Sequence, residues 1–377
     1  MYNKFFILLA LISLIISCSQ STETKQQDNK LSAVPLAYAK RFIVKKAAEY
    51  IVLDLLGNKN NNNVTSTFVL YKNQKPNYSK DAYYIKTPVK KIACMSSIYT
   101  AMLSKLYCEQ TIVAIDNVDY YTNSFIQQKV KEKIIIELSK GPMVEIEKTL
   151  ALNPDLFLTF GMGNPKDDVD KKLVQSNIPI AISIDHLEET PLARAEWIKF
   201  FAYFFNKEVL ADSLFKETEK KYNNLKLLTK DLKFKPTVLT EIKYGDAWYV
   251  PSAKSYIANL IHDAGGNYFW KDDNKTGSTP LSFETVYAKA KDCDVWINLY
   301  NVNTKKELMS YDERYGLFKA YKNNQLFNNN KIQNALGYSN YWETGITNPE
   351  DVLADLMHIF NPSLLPNHKF TYYKKIE

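Results

Sequence analysis

Lys91-Ile92-Ala93-Cys94-Met95-Ser96-Ser97-Ile98-Tyr99-Thr100-Ala101-Met102-Leu103-Ser104-Lys105-Leu106 passes from a short apolar run, through two serines, into a helical stripe. Residues 91–95 read as a strand and 98–106 as the helix after it. A second apolar strand follows at 111–115. The alternation continues outward, with strands at 134–138, 155–160 and 178–184 and helices at 144–151 and 166–176. Strands and helices in alternation predict a parallel sheet covered on both faces.

A second block repeats this order without repeating the sequence. It has a strand at 237–242, helices at 255–264 and 282–290, a strand at 294–299, and a last helix at 349–360 that opens on Pro349. Gly265-Gly266 directly after the 255–264 stripe is a helix-stop signal. Between the blocks, Pro191 suits a first helical turn, and a break falls at Asn206-Lys207. From there Leu210, Leu214, Tyr222 and Leu225 recur near helical spacing. As one helix, 207–229 would be about 34 Å long, enough to run along the backs of two lobes.

The N-terminal part reads differently. Phe42 and Val44 alternate with polar neighbours, as do Ile51, Leu53 and Leu55, and 67–71 follows a polar Asn-rich turn. This predicts a β-meander over 38–72. Ahead of it, Lys4 precedes an apolar run of about 12 residues, short of the roughly 20 that a membrane span needs. The run ends in Ile15-Ile16-Ser17-Cys18, which resembles a bacterial lipobox. That resemblance implies cleavage before Cys18 and lipidation of its sulfur. The reading divides the chain into a leader (1–17), a flexible tether (18–37), a first lobe with the meander (38–205), a bridging helix (206–230) and a second lobe (231–377). No later stretch is long and apolar enough to cross a bilayer, so an exported, lipid-anchored and otherwise soluble protein is expected.

The formal charge is +7, and loss of Lys4 with the leader lowers it by one. The basic residues are dispersed, without a dense block interleaved with aromatics, so nucleic acid is not an expected partner. Three cysteines follow Cys18, an odd number that cannot pair completely. Cys94 and Cys293 sit in apolar runs and read as small buried hydrophobes. A Cys94–Cys108 bond would join opposite ends of one strand–helix unit, which disfavours it.

Both blocks resemble one family. Val89-Lys90-Lys91-Ile92 with Met95-Ser96-Ser97-Ile98-Tyr99-Thr100, then Val113-Ala114-Ile115, is similar to the opening strand, turn and second strand of the iron-siderophore and cobalamin substrate-binding proteins of ABC importers. Glu147 to Leu156, with Asn153-Pro154-Asp155 inside it, looks like that family's Glu–helix–Pro-Asp–strand phrase. Ser282-Phe283-Glu284 with 292–297, and Ala264-Gly265-Gly266-Asn267, match in the second block. Pro191-Leu192-Ala193-Arg194-Ala195-Glu196-Trp197 and Asn340-Tyr341-Trp342-Glu343-Thr344-Gly345 resemble the branch common in Bacteroidetes. The likeness runs in order over about 85–365. It departs near Ala193, where a glycine is usual, and at Leu336-Gly337-Tyr338-Ser339, which is poorer in glycine.

The resemblance implies an α/β fold: two Rossmann-like lobes with mostly parallel central sheets, joined by one long rigid helix, here with the meander as an extension. It implies a largely pre-formed cleft between the lobes at the carboxyl ends of the strands. Loops leaving those strand ends give the candidate ligand contacts. In the first lobe these are Ser97, Tyr99, Asp119, Tyr120, Tyr121, Pro142, Met143 and Phe160 to Gly163, Met162 included. In the second they are Trp248, Tyr249, Lys254, Tyr300, Tyr338, Tyr341 and Trp342. Aromatic side chains suit a large planar or catecholate ligand, and Lys254 or Arg314 could meet an anionic chelate. In the resemblance Glu147 and Glu284, one per lobe, dock onto a permease; the alternative is that both are first-turn glutamates favoured by the helix dipole.

The implied partners are an iron chelate (ferric siderophore or haem) or a cobalamin, the ABC permease and ATPase, and the membrane through the lipid. No cofactor is expected, and a monomer is. His186, His262, His358 and His368 lack ligand spacing, which argues against a bare metal ion. Gly161-Met162-Gly163 is too short for a nucleotide loop, and no Gly-x-Ser-x-Gly elbow occurs, so an exported hydrolase has little support. A glycan-binding lipoprotein would also use an aromatic cleft, but it calls for a β-rich domain, against the alternation read here.

Overall fold

The computed structural model describes residues 31–57, 63–140, 143–162 and 165–377. The leader, Cys18 and the tether up to residue 30 lie outside these residues, as do 58–62 of the Asn-rich turn, Pro142 and Gly163.

The expected two α/β lobes are present. The first holds five parallel strands in the order Ile180–Ser183, Leu156–Phe160, Ile92–Cys94, Ile112–Ile115, Ile136–Glu137. The second runs Asn267–Tyr268, Thr237–Thr240, Val295–Ile297, Leu326–Asn328, Lys374–Lys375, parallel except for the last pair. Their central strands are apolar and buried throughout, as strands covered on both faces must be. Some elements differ from the reading. The expected 166–176 helix divides into Pro165–Asp168 and Lys171–Val174, because the Asp170 side chain accepts from the Lys172 amide and starts a new turn. Ser124–Lys131 is helical, capped by Asn123. A small antiparallel sheet, Lys243–Tyr244, Ala247–Pro251 and Ser278–Leu281, stands beside the second lobe. Cys94, Cys108 and Cys293 are free and buried.

The N-terminal sheet has five strands, Ser32–Val34, Phe42–Lys46, Tyr50–Leu56, Val64–Tyr71 and Tyr83–Lys86. The first four form antiparallel pairs, and the fifth adds in parallel. It belongs to the core of the first lobe. Phe42 packs edge-on to Trp197 at 5.0 Å and Phe200 at 5.4 Å, and Phe68 meets Phe204 at 5.8 Å. Two buried glutamates fasten the segment that leads into this sheet. Glu196, with no exposure, accepts the backbone N–H groups of Ala37, Tyr38 and Ala39 at 2.7–3.0 Å. Glu188 accepts those of Lys40 and Arg41 and the Trp197 indole N–H at 2.9–3.1 Å. Five consecutive amides that no strand satisfies are thus bonded to two carboxylates that would be costly to bury alone.

The long helix spans Glu208–Leu227 and buries Ala211, Phe215, Thr218 and Tyr222 along one stripe. It packs against Ile198–Phe204 of the first lobe and Pro349–Phe360 of the second. Tyr222 donates to Asp263 at 2.9 Å, and Lys226 pairs with the same carboxylate at 2.8 Å. The lobes also touch directly. The Thr122 amide donates to the buried Glu343 at 2.7 Å, Asn334 donates to the Asp119 carbonyl at 2.6 Å, and Asn259 to that of Glu189 at 3.1 Å.

Glu196→Ala leaves three amides without their acceptor, and about 3 kcal/mol or more of stability should be lost. A urea titration measures this. A loss below about 1 kcal/mol would show that the clamp does not hold the N-terminal sheet.

Candidate functional site

Open parallel sheets leave a crevice where the strand order reverses, beyond the carboxyl ends of the strands. In the second lobe the reversal falls between Thr237–Thr240 and Val295–Ile297, and in the first between Ile92–Cys94 and Leu156–Phe160. The chain leaving Leu156–Phe160, Thr237–Thr240 and Val295–Ile297 lines a cavity of about 1000 Å³ between the lobes. Met162, His186 and Arg194 line it from the first lobe, and Glu241, Tyr249, Lys254, Tyr300 and Trp342 from the second.

The second-lobe wall is held in a rare backbone conformation. Glu241, Asn298 and Tyr300 have φ of 65°, 58° and 56°, a region that non-glycine residues seldom adopt and that marks over-determined sites. Their surroundings hold them there. The Trp248 indole donates to the Thr240 carbonyl at 3.1 Å and the Trp296 indole to the Glu241 carbonyl at 2.8 Å. The Asn298 amide donates to Thr240 and Glu241, and its oxygen accepts from Tyr373 at 2.8 Å. On the first-lobe side Arg194 is buried and paired with Asp185 at 2.9 Å, and Asp185 also accepts from Ser183 at 3.0 Å and Tyr99 at 3.3 Å. The guanidinium lies 5.0 Å from the Tyr256 ring centre, so the two lobes meet at the cavity floor. His186 also lines the cleft, with an exposed side chain.

The structure sorts the residues expected from sequence. Met162, Tyr249, Lys254, Tyr300 and Trp342 line the cavity, all with exposed side chains. Trp248, Tyr99, Tyr121 and Tyr341 do not reach it as ligand contacts, because each is at most 1% exposed. Trp248 lies stacked on Trp296, Tyr121 donates to Asp116 at 2.6 Å, and Tyr341 sits among Trp342, Tyr372 and Tyr373. Tyr120 and Tyr338 pair edge-on at 5.0 Å, a contact between the lobes outside the cavity lining. Met143 and Phe160 are exposed but also outside it. Arg314 also lies outside the lining: it bonds Asp312 through Nε and Nη2, pairs with Glu284 at 2.9 Å and lies over the Phe283 ring at 3.8 Å. Those contacts occupy it away from the cleft.

Glu147 and Glu284 each lie in the first turn of a helix, Ile146–Leu152 and Phe283–Ala290, with side chains 79% and 73% exposed. Each meets a cation of its own lobe, Lys172 and Arg314, both at 2.9 Å. Sequence reasoning did not single out Arg41, His186, Glu241 or Tyr256 as cleft residues. The one available signal was the position of Glu241 at the end of a strand. Among the described residues no group of three or more His, Cys, Asp or Glu side chains is arranged to hold a metal ion.

Burial raises the Glu241 carboxyl from 4.5 to about 7, opposed by hydrogen bonds from Asn298 and Thr240. The folded chain then binds this proton more tightly than the unfolded one. Its stabilising contribution is complete below pH 4.5 and is lost as pH rises to about 7. Glu241→Gln, uncharged throughout, should flatten the decline in melting temperature over that window. Equal slopes in variant and parent would show an ordinary carboxylate at this position.

The family model for periplasmic binding proteins matches residues 92–331. An uncharacterized lipoprotein of Methanocaldococcus jannaschii is 28% identical over 300 residues, covering 77% of this chain and 70% of that protein. Among solved structures, the periplasmic vitamin B12 binding protein BtuF of Vibrio cholerae superposes with a TM-score of 0.53 at 14% identity, over 72% of this chain and 96% of that one. An ABC-type Fe3+-hydroxamate transport system protein from Saccharomonospora viridis gives 0.56 at 16% identity, over 73% and 94%. Both structural likenesses are of fold alone. The family match takes in the strands on both sides of each lobe's reversal point and most of the cleft lining; this chain belongs to the periplasmic binding protein family.

Proposed function

We propose that the chain is a lipid-anchored receptor that captures an iron chelate, a ferric siderophore or haem, between its lobes and delivers it to an ABC importer. The observation that carries this reading is the cleft lining. Exposed faces of Tyr249, Tyr300 and Trp342 share the lining with the exposed cation Lys254, with Lys243, and with the Asp185-paired Arg194. Aromatic faces give wide contact with few torsions to freeze, and the cations favour an anionic chelate by charge-assisted bonding. Cobalamin could use the aromatic faces but has less use for the cations.

The Ser17-Cys18 phrase supports anchoring, as does a relative described as a lipoprotein. Glu147 and Glu284, exposed and one on each lobe, suit docking onto the two halves of a permease, with transport driven by the ATPase subunits. The direct bonds between lobes and the shared helix favour a cleft that changes little on binding.

The test is a tryptophan-fluorescence titration of the soluble chain from Ser19 with haemin, ferric siderophores and cobalamins. Saturable quenching by an iron chelate is expected. A response to cobalamins alone would reassign the ligand, and no response would remove the receptor reading. Trp342→Ala should weaken binding about tenfold without lowering the melting temperature. Trp248→Ala should instead destabilise the fold by about 3–5 kcal/mol. Reversing both Glu147 and Glu284 to lysine should abolish uptake and spare affinity; lost affinity would overturn the docking assignment.

A further inference from the structure

A second cavity, about 850 Å³, lies between the N-terminal segment 34–43 and residues 187–193. Arg41, Leu187 and Glu188 line both this space and the interlobe cleft, so the two adjoin. The N-terminal part of the chain, which precedes the family match that begins at residue 92, therefore supplies Arg41 to the wall of the cleft and, with Val34, Phe42 and Ile43 of its sheet, a wall of the adjoining cavity.

Arg41 is the notable residue in that wall. It is only 6% exposed, yet it forms no ion pair among the described residues. Its Nη1 donates to the Gly57 carbonyl at 3.1 Å. A guanidinium carries several further N–H donors. None of them is sealed in the core without a partner, so they open onto the cavities. The neighbouring Glu188 moderates the charge but has its Oε1 engaged by the Lys40 and Arg41 amides and the Trp197 indole. Glu189 also faces the second cavity. A largely buried cation whose neighbouring carboxylate is already engaged by other donors is only partly compensated, and it is retained most readily where something else supplies further anion. The backbone under it is fixed by the Glu188 and Glu196 clamps and by the bond from the Leu56 amide to the Arg41 carbonyl at 3.0 Å. Its donors are therefore pre-organised for a bound oxyanion.

We propose that the N-terminal sheet is part of the binding site and that Arg41 holds an oxyanion group of the ligand, a carboxylate or catecholate arm reaching from the cleft into the adjoining cavity. This deepens the receptor reading and rests on it for the ligand class.

The experiment is calorimetric titration of the soluble parent chain, Arg41→Gln and Arg41→Lys with haemin, haemin dimethyl ester, a ferric tricatecholate and cyanocobalamin, each at low and high salt. The expected result is that Arg41→Gln weakens the anionic probes about tenfold and lowers their salt dependence, that Arg41→Lys recovers part of the loss, and that the ester is insensitive to the substitution. Melting curves of both variants accompany the titrations, because the bond to Gly57 is lost in the glutamine form. A purely structural role would weaken all probes alike and would overturn the proposal, as would unchanged affinity for the anionic probes. If the parent binds cyanocobalamin or the ester but no anionic probe, the receptor reading stands and the Arg41 assignment falls. If it binds none of the four, both fall.

Discussion

Buried carboxylates that collect backbone N–H groups hold this molecule together. Glu196 and Glu188 take the five amides of residues 37–41. Asp355, equally buried, takes those of Thr371, Tyr372 and Tyr373 and pairs with His368 at 2.6 Å. In each case a segment near one end of the described chain, with amides that no strand satisfies, is fixed to its lobe, by Glu196 and Asp355 from helices and by Glu188 from the loop before one. Neither partner could be buried alone without a large desolvation penalty, so the arrangement forms as a unit. Without the first pair the segment leading into the N-terminal sheet would lose its anchor, and the sheet would rest on apolar packing such as that of Phe42 and Phe68. Without Asp355 the last strand and Tyr373, which supports Asn298 at the cleft, would lose their anchor.

The cleft depends on these anchors. Three non-glycine residues in the left-handed region line or support one wall, and such conformations persist only when the surroundings over-determine them. Two buried tryptophans supply much of that determination by donating to the carbonyls of Thr240 and Glu241. Strain in the wall is thus offset by hydrogen bonds and aromatic packing behind it, which gives a stiff lining. The long helix, gripping both Ile198–Phe204 and Pro349–Phe360, and the Thr122–Glu343 contact across the lobes extend that stiffness to their relative placement. A receptor built this way loses little conformational freedom on binding.

The sequence by itself determined the two blocks of alternating strands and helices, the long helix and its apolar stripe, and the meander strands marked by Phe42 and Val44 and by Ile51, Leu53 and Leu55. All of these follow from periodicity, which records which faces are buried. The division of labour among the aromatics was decided only by the tertiary structure. Trp248 and Trp342 both follow strands or turns near the cleft and look alike in the chain. The small sheet Lys243–Tyr244, Ala247–Pro251, Ser278–Leu281 turns Trp248 inward onto Trp296, and Trp342 is left in the cavity wall. That outcome depends on strand register between segments about thirty residues apart, which no local pattern encodes. Arg41, His186 and Arg194 likewise meet across one cavity from separate regions of the chain. Whether a charged side chain is solvated, paired or held ready for a ligand depends on neighbours distant in sequence, and only the folded arrangement of the lobes supplies them.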